Sequence, residues 1–255
     1  MEVALLDHGY VKLIPGGIWG SDELIIESAR MSTAGGFKGW GWHHQEGCLC
    51  EQDGHVLCSC RPTPGDEKLL RYLWEHDHSS PFEMAGLTVE IQAPMFVARQ
   101  IFRHRTFSYN ELSARYTEMP NLYYTPSLER IKNGRRSSKN KQGSEGGFGD
   151  FEARYIQGAI ELANKSSRAQ YEELTRLGLA NELTRLVVPM SQYTRWRMSG
   201  NLWNWTQFLR KRLPDNVQLE TREYAVEILK MAAGHCPRTI GLFKEEMDGI
   251  DEKVQ

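Results

Sequence analysis

The sequence has no run of 18 apolar residues, which excludes a helix that crosses a membrane by its own hydrophobicity. It has almost no net charge: 31 Lys and Arg stand against 33 Asp and Glu, a formal −2. A dedicated nucleic-acid or membrane-surface binder carries a stronger imbalance, so neither is expected, although a local basic pocket remains open. Cysteine is scarce and odd in number, with five residues. The first residues, MEVALLDHGYVKL, start acidic and lack a long apolar run, so no signal peptide is expected. Reduced thiols in the cytoplasm follow from these two readings. No internal repeat is present. What remains is a chain of 255 residues, 40% hydrophobic, long enough to bury the core of one large domain or two small ones without cross-links.

The pattern along the chain mixes strands and helices without a steady βαβ rhythm. VALLDHGYVKLI reads as strand material with a turn near Asp7 to Gly9, and SDELIIESARMS as a short helix capped by Ser21. Glycine and tryptophan then dominate a loop over 34–47 that holds Trp40, Trp42 and His43, read as packing within the loop. GDEKLLRYLWEHDH is helical, with Leu69, Leu70, Leu73 and Trp74 on one face. LTVEIQA alternates as a half-buried strand, and Pro94 is placed to open a helix over PMFVARQIFRHR. The segment 132–149 contains no aliphatic residue and reads as a surface loop. A long helix follows, with Phe151, Tyr155, Ala159 and Ala163 recurring every four residues beside Ile156 and Ile160. ANELTRLVV is a shorter helix ending at Pro189. QYTRWRMSG is a strand with Tyr193, Arg195 and Arg197 on one face and Thr194, Trp196 and Met198 on the other. NLWNWTQFLRKRL and NVQLETREYAVEILKMAAG are helices. The expected fold is α+β, a mixed sheet flanked by helices.

Cys48, Cys50, Cys58 and Cys60 form two C-x-C pairs around Asp53-Gly54, a strong hairpin-turn dipeptide. Four thiolates suit zinc, but the usual zinc spacing is C-x-x-C, so free thiols, paired thiols and metal all stay open and no metal ligand is assigned.

The chemistry concentrates in RHRTFSYNELSARY, residues 103–116. Arg103, Arg105 and Arg115 repel one another unless an anion sits among them, and guanidinium groups recognise phosphate bidentately. Ser113 and nearby main-chain N–H groups add donors. A phosphorylated small molecule is the direct reading. RNA is the rival, with Tyr109, Tyr116, Tyr123 and Tyr124 as stacking surfaces, but the acidic total and the lack of a wider basic stripe weigh against it.

Arg103-His104-Arg105, seven residues, then Ser113 resembles the signature of flavin-dependent thymidylate synthases, and the match extends to Ser108, Asn110, Glu111, Arg115 and Tyr116. SARMS, HDHSSPFE, APMFVARQ, ELTRLVVPMSQYTR and the 201–212 helix resemble further family blocks in family order. The resemblance implies one domain over 1–255, with insertions at about 34–65 and 132–149, in a homotetramer with shared active sites. It implies FAD, NADPH as reductant, 5,10-methylenetetrahydrofolate as carbon donor and dUMP as acceptor. Carried over residue by residue, it puts Ser32, His78, Ser80, Glu83, Arg103, His104, Arg105, Thr106, Glu111, Asn201 and Gln207 along the FAD. Gln100, Arg103, Glu111, Ser113, Ala114, Arg115, Arg185 and Arg212 match positions that hold dUMP. Ala114 replaces a common Gly, which is harmless if its N–H alone is used. Trp203 falls where many members carry a flavin-contacting Arg, and is read as packing.

Methylating uracil at C5 requires that C5 become nucleophilic. One route adds a thiolate at C6, but Cys236, the only Cys outside the hairpin, reads as a buried structural residue even with His235 beside it. The route the resemblance implies uses Arg212 to favour loss of the N3 proton, with Ser113 in binding and not in attack. The alternatives are a related enzyme making another 5-substituted nucleotide such as hydroxymethyl-dUMP and, further off, an RNA-binding module with a zinc hairpin.

Overall fold

A computed structural model of the chain describes residues 1–43, 63–136 and 147–254. In chain order it runs through strands β1 (Glu2–Leu5) and β2 (Gly9–Trp19), helix α1 (Asp22–Arg30) and a 3-10 turn at Met31–Thr33. Strands β3 (Trp42–His43) and β4 (Thr63–Pro64) follow, then α2 (Glu67–Glu75), α3 (Ser79–Phe82), β5 (Gly86–Pro94), α4 (Met95–Ile101) and β6 (Ser108–Glu111). The remainder is α5 (Leu128–Lys132), α6 (Asp150–Arg176), α7 (Asn181–Thr184) with a 3-10 turn at Arg185–Val187, β7 (Tyr193–Asn201), α8 (Leu202–Arg212), α9 (Leu219–His235) and α10 (Pro237–Val254). A five-stranded mixed sheet in the order β1-β2-β5-β7-β6 with flanking helices is the α+β fold expected. No helix among the described residues is long and apolar enough to cross a membrane.

The chain forms two compact units, the first made of Met1–Ile14, Thr88–Ser199 and Phe208–Ile228. In it β1 and β2 form the expected antiparallel hairpin, Glu2 opposite Lys12 and Leu5 opposite Gly9. Gly9 is required there, because a Cβ would overlap the Tyr224 hydroxyl and press on the Leu5 and Gln92 carbonyls. β5 buries Val89, Ile91 and Ala93 on alternate positions. β7 buries Thr194, Trp196 and Met198 and exposes Arg195 and Arg197, as alternation demands. Tyr193 departs from its face and is fully buried, its hydroxyl donating to Asp7 Oδ1 at 2.5 Å.

Expectations for two helices of this unit need correction. The helix opened by Pro94 stops at Ile101 instead of continuing through Arg105. The helix ends in a tighter turn, His104 N donating to Ile101 O at 3.0 Å, and the Tyr109 hydroxyl shares its one proton between the carbonyls of Ile101 (3.1 Å) and His104 (2.8 Å). Arg103, His104 and Arg105 therefore sit in a turn. In α6 the buried positions are Ala153, Asn164 and Tyr171, while Phe151 (84%) and Tyr155 (73%) are exposed in the single chain. Polar Asn164 faces inward because it bridges Ser191, which donates to it at 2.6 Å, and the Tyr124 carbonyl. Lys132, read as loop, closes α5, and most of the loop expected beyond it lies outside the described residues.

The second unit comprises Pro15–Leu87, Gly200–Gln207 and Leu229–Gln255. Ser21 caps α1, its Oγ accepting from Leu24 N at 3.2 Å. Buried Asp22 takes N–H bonds from Arg238 (2.8 Å) and Thr239 (3.1 Å) and so caps α10, a helix without a strong signal in the sequence beyond Pro237 at its first position. Trp40 packs as expected, donating to Glu23 at 2.7 Å under the Arg238 guanidinium. β3 pairs antiparallel with β4, so Trp42 and His43, read as loop, lie in a short ladder. The four-cysteine hairpin lies outside the described residues.

Candidate active site

Past α4 the chain of the first unit makes the turn 102–107, runs through β6 and turns again at Ser113. The second turn is locally determined. Leu112 N donates to Arg195 O, and Ser113 O accepts from the amides of Tyr116 and Thr117, both at 3.1 Å. Ser113 Oγ accepts from Arg115 N at 3.3 Å, the side-chain turn that serine favours. This geometry opens a cavity of about 350 Å³ with Met95, Glu111, Ser113, Ala114, Arg185 and Thr194 on its wall. Glu111 is fixed by the Thr194 hydroxyl, which donates to Oε1 at 2.7 Å. Four of the residues expected to hold nucleotide thus share one cavity. Arg115 is not on its wall, and its side chain pairs with Glu182 at 3.5 Å. Arg185 Nε donates to Glu182 O at 3.2 Å, and Arg185 has no carboxylate partner among the described residues.

A second cluster of the same unit joins Gln100, His104 and Arg212. Arg212 Nε donates to His104 Nε2 at 2.9 Å, and Nη2 donates to the Gln100 carbonyl at 2.8 Å. His104 must therefore be neutral, with its proton on Nδ1. Burial, then the charges of Arg212 and Lys211, hold the imidazole down to about 4. Burial pushes the Tyr109 phenol up to about 12, opposed by Arg212. Burial also pulls the Arg212 guanidinium below its ordinary value, yet it stays a cation. Its partners are neutral acceptors, so among the described residues its charge is uncompensated. Arg103 and Arg105 are exposed, with no ion pair among the described residues.

Thr106 is exposed in the 102–107 turn of the first unit, and the remaining expected residues belong to the second unit. Ser32 sits in the 3-10 turn and donates to Ala29 O at 3.1 Å. His78, Ser80 and Glu83 are exposed at and around the short helix α3. The His78 ring lies edge-on to Tyr72 at 5.7 Å. Asn201 caps α8, its Oδ1 accepting from Asn204 N at 2.8 Å, and Gln207 lies in the second turn of that helix. Trp203 packs against Trp74 (5.8 Å) and Phe82 (6.0 Å), as expected.

Sequence reasoning missed Met95 and Thr194 in the cavity wall and the polar residues behind Gln100. Thr194 carried a usable signal: it is a hydroxyl on the buried face of a strand, where it needs an acceptor such as Glu111.

Comparison with known proteins gives a consistent result. A family model described as thymidylate synthase complementing protein matches residues 17–238. The chain is 32% identical over 247 residues to a flavin-dependent thymidylate synthase of Thermus thermophilus, covering 97% of this chain and 80% of that one. It is 34% identical to one of Thermosipho melanesiensis, covering 95% and 93%. Among solved structures, the UMP/dUMP methylase PolB from Streptomyces cacaoi bound with 5-Br dUMP superposes with a TM-score of 0.75 at 27% identity, covering 95% of this chain and 97% of that one. The same methylase bound with 5-Br UMP gives 0.74.

Proposed function

Because the chain belongs to the family of thymidylate synthase complementing proteins, the flavin-dependent thymidylate synthases, we propose that it methylates dUMP to dTMP, with 5,10-methylenetetrahydrofolate as carbon donor and FAD reduced by NADPH. The observation that carries this reading is the Arg212 guanidinium, which has no carboxylate partner among the described residues, beside a neutral His104. A fixed cation without a carboxylate partner is available to a developing anion, and it needs no reorganisation when the charge appears.

The residues present fit both ligands. Arg185, Ser113 and the Ala114 N–H on the cavity wall suit the nucleotide phosphate, with Arg115 joining them by releasing Glu182. Glu111, held by Thr194, is an acceptor for a ligand N–H or hydroxyl. Exposed Arg103 and Arg105, which lack ion pairs among the described residues, suit the FAD diphosphate. Thr106 adds a polar group beside them, and in the second unit Ser32, His78, Ser80, Glu83, Asn201 and Gln207 are the polar residues that the family resemblance assigns to the cofactor. When bound, the flavin supplies the hydride that completes the methyl group. Arg212 favours loss of the uracil N3 proton and so raises electron density at C5. Cys236 is fully buried, and its thiol is pushed up by burial and by the charges of Asp22 and Glu23, so it offers no thiolate for attack at C6.

Residues 1–255 act as one functional domain in this reading, assembled as a homotetramer. The exposed stripe of α6, Phe151, Tyr155 and Leu162, supports assembly, since such a stripe is ordinarily covered.

A second reading, methylation of UMP as well as dUMP, is favoured by the likeness to the UMP/dUMP methylase. One experiment tests both. The yellow, flavin-loaded protein is supplied with methylenetetrahydrofolate, NADPH and either nucleotide, and the product is weighed by mass spectrometry. A product from dUMP heavier by one methylene supports the first reading, and a hydroxymethylated product or no product overturns it. Equal turnover of UMP supports the second.

A further inference from the structure

Glu220 is 3% exposed, and its carboxylate is filled from three sides. Oε1 accepts from the Tyr124 hydroxyl at 3.0 Å and from Arg130 Nε at 2.8 Å, and Oε2 accepts from Gln218 Nε2 at 2.9 Å. An ionised carboxylate only accepts, so Gln218 must turn its NH2 toward Glu220 and its carbonyl oxygen away. That oxygen accepts from Gln100 Nε2 at 2.5 Å. Gln100 Oε1 in turn accepts from the hydroxyl of buried Thr221 at 3.1 Å. Nothing intrinsic to a glutamine distinguishes its two amide orientations. Here the choice passes from a buried carboxylate through one amide to the next, because reversing Gln100 would set oxygen against oxygen at Gln218.

We propose that Glu220 is a positioning residue that fixes the amide orientation of Gln100 through Gln218, and that this orientation sets the preference of the nucleotide site for uracil over cytosine. The inference rests on the reading of Gln100 as a nucleotide-binding residue. Uracil presents O4 as an acceptor and N3–H as a donor, and cytosine presents the reverse pair at N4 and N3. An amide held in one orientation by two hydrogen-bond partners, Gln218 on its NH2 and Thr221 on its oxygen, leaves one N–H and one lone pair in fixed places, so it discriminates between these edges. A free amide rotates to serve either. The same residue lends its main-chain carbonyl to Arg212, so orientation of the base and placement of the cation meet at Gln100.

Gln218 is exposed, so Gln218→Met removes the link without opening the core. Affinities for dUMP and dCMP are measured by calorimetry on flavin-loaded wild-type, Gln218→Met, Gln100→Met and the double variant. Gln218→Met is expected to weaken dUMP by about fivefold, the worth of one neutral hydrogen bond, and to leave dCMP nearly unchanged. In the Gln100→Met background the same substitution is expected to have no further effect. Glu220→Gln, whose amide can donate as well as accept, should narrow the dUMP preference in the same way. An unchanged dUMP-to-dCMP ratio in Gln218→Met, or the same penalty in both backgrounds, overturns the relay while leaving the site reading intact. Wild-type dUMP affinity in Gln100→Met overturns the site reading for that residue, and the relay falls with it.

Discussion

Arg212 Nε donates to His104 Nε2 across 2.9 Å, a cation held by a neutral imidazole. The bond requires His104 unprotonated, and its pKa lies at about 4 in the fold, below the ordinary histidine value. A group with a depressed folded-state pKa gives its full contribution above the unfolded pKa, and that contribution is lost as pH falls toward the folded one. Between pH 6.5 and 4 the unfolded chain binds the proton and the folded one does not. The wild-type protein is therefore expected to lose stability on acidification through that window. His104→Gln, which keeps an acceptor and does not titrate, should show a shallower fall. Thermal unfolding across pH 4 to 8 compares the two, and parallel curves contradict the assignment.

Arg185 faces the cavity without a carboxylate partner among the described residues, whereas Arg115 is engaged with Glu182. Arg185→Ala is expected to weaken dUMP by about 1.5–3 kcal/mol, the range for a charge-assisted contact, and Arg115→Ala by less. Flavin content should be unchanged in both. Calorimetry showing equal losses for dUMP and FAD shows these residues misassigned.

Cys236→Ala should retain turnover per bound flavin, because its thiol is buried and pushed up from the ordinary value by burial. A stability loss of about 1 kcal/mol is the expected price of the small cavity, since most core truncations cost this or more. A folded, yellow and inactive variant would restore a covalent route through C6.

Phe151 and Tyr155 project from α6 in the single chain at 84% and 73% exposure. Charging the stripe with Phe151→Glu and Tyr155→Glu is expected to reduce the assembled mass seen by light scattering. Wild-type protein that is monomeric and active with FAD rules out the shared-site tetramer.

The hairpin of β1 and β2, the Ser21 cap and the alternation of β7 were legible in the sequence, because each is encoded locally by turn residues, a capping side chain or a period of two. The end of α4 was not, because the turn that follows it is held by the hydroxyl of Tyr109, eight residues after Ile101. The inward face of α6 was hidden for the opposite reason: apolar periodicity favours Phe151 and Tyr155, but the packed position is polar Asn164, paid for by partners distant in sequence. At the site, Arg103 to Arg105, Glu111 and Ser113 stood out as a motif. The partners that hold the site, the Thr194 hydroxyl donating to Glu111 and the His104 ring nitrogen accepting from Arg212, required the fold.

The charge of Arg212 during chemistry is tested most directly by stopped-flow absorbance of the bound flavin. Arg212→Ala and Arg212→Lys should both fold, stay yellow and be reduced by NADPH. Reoxidation by dUMP with methylenetetrahydrofolate should collapse, more for Ala than for Lys, which keeps the charge but loses the planar fork that reaches His104 and the Gln100 carbonyl. A loss of about 100-fold or more in the Ala variant matches removal of one pre-placed donor in a water-poor site. Reoxidation of Arg212→Ala at the wild-type rate contradicts the catalytic role of this residue.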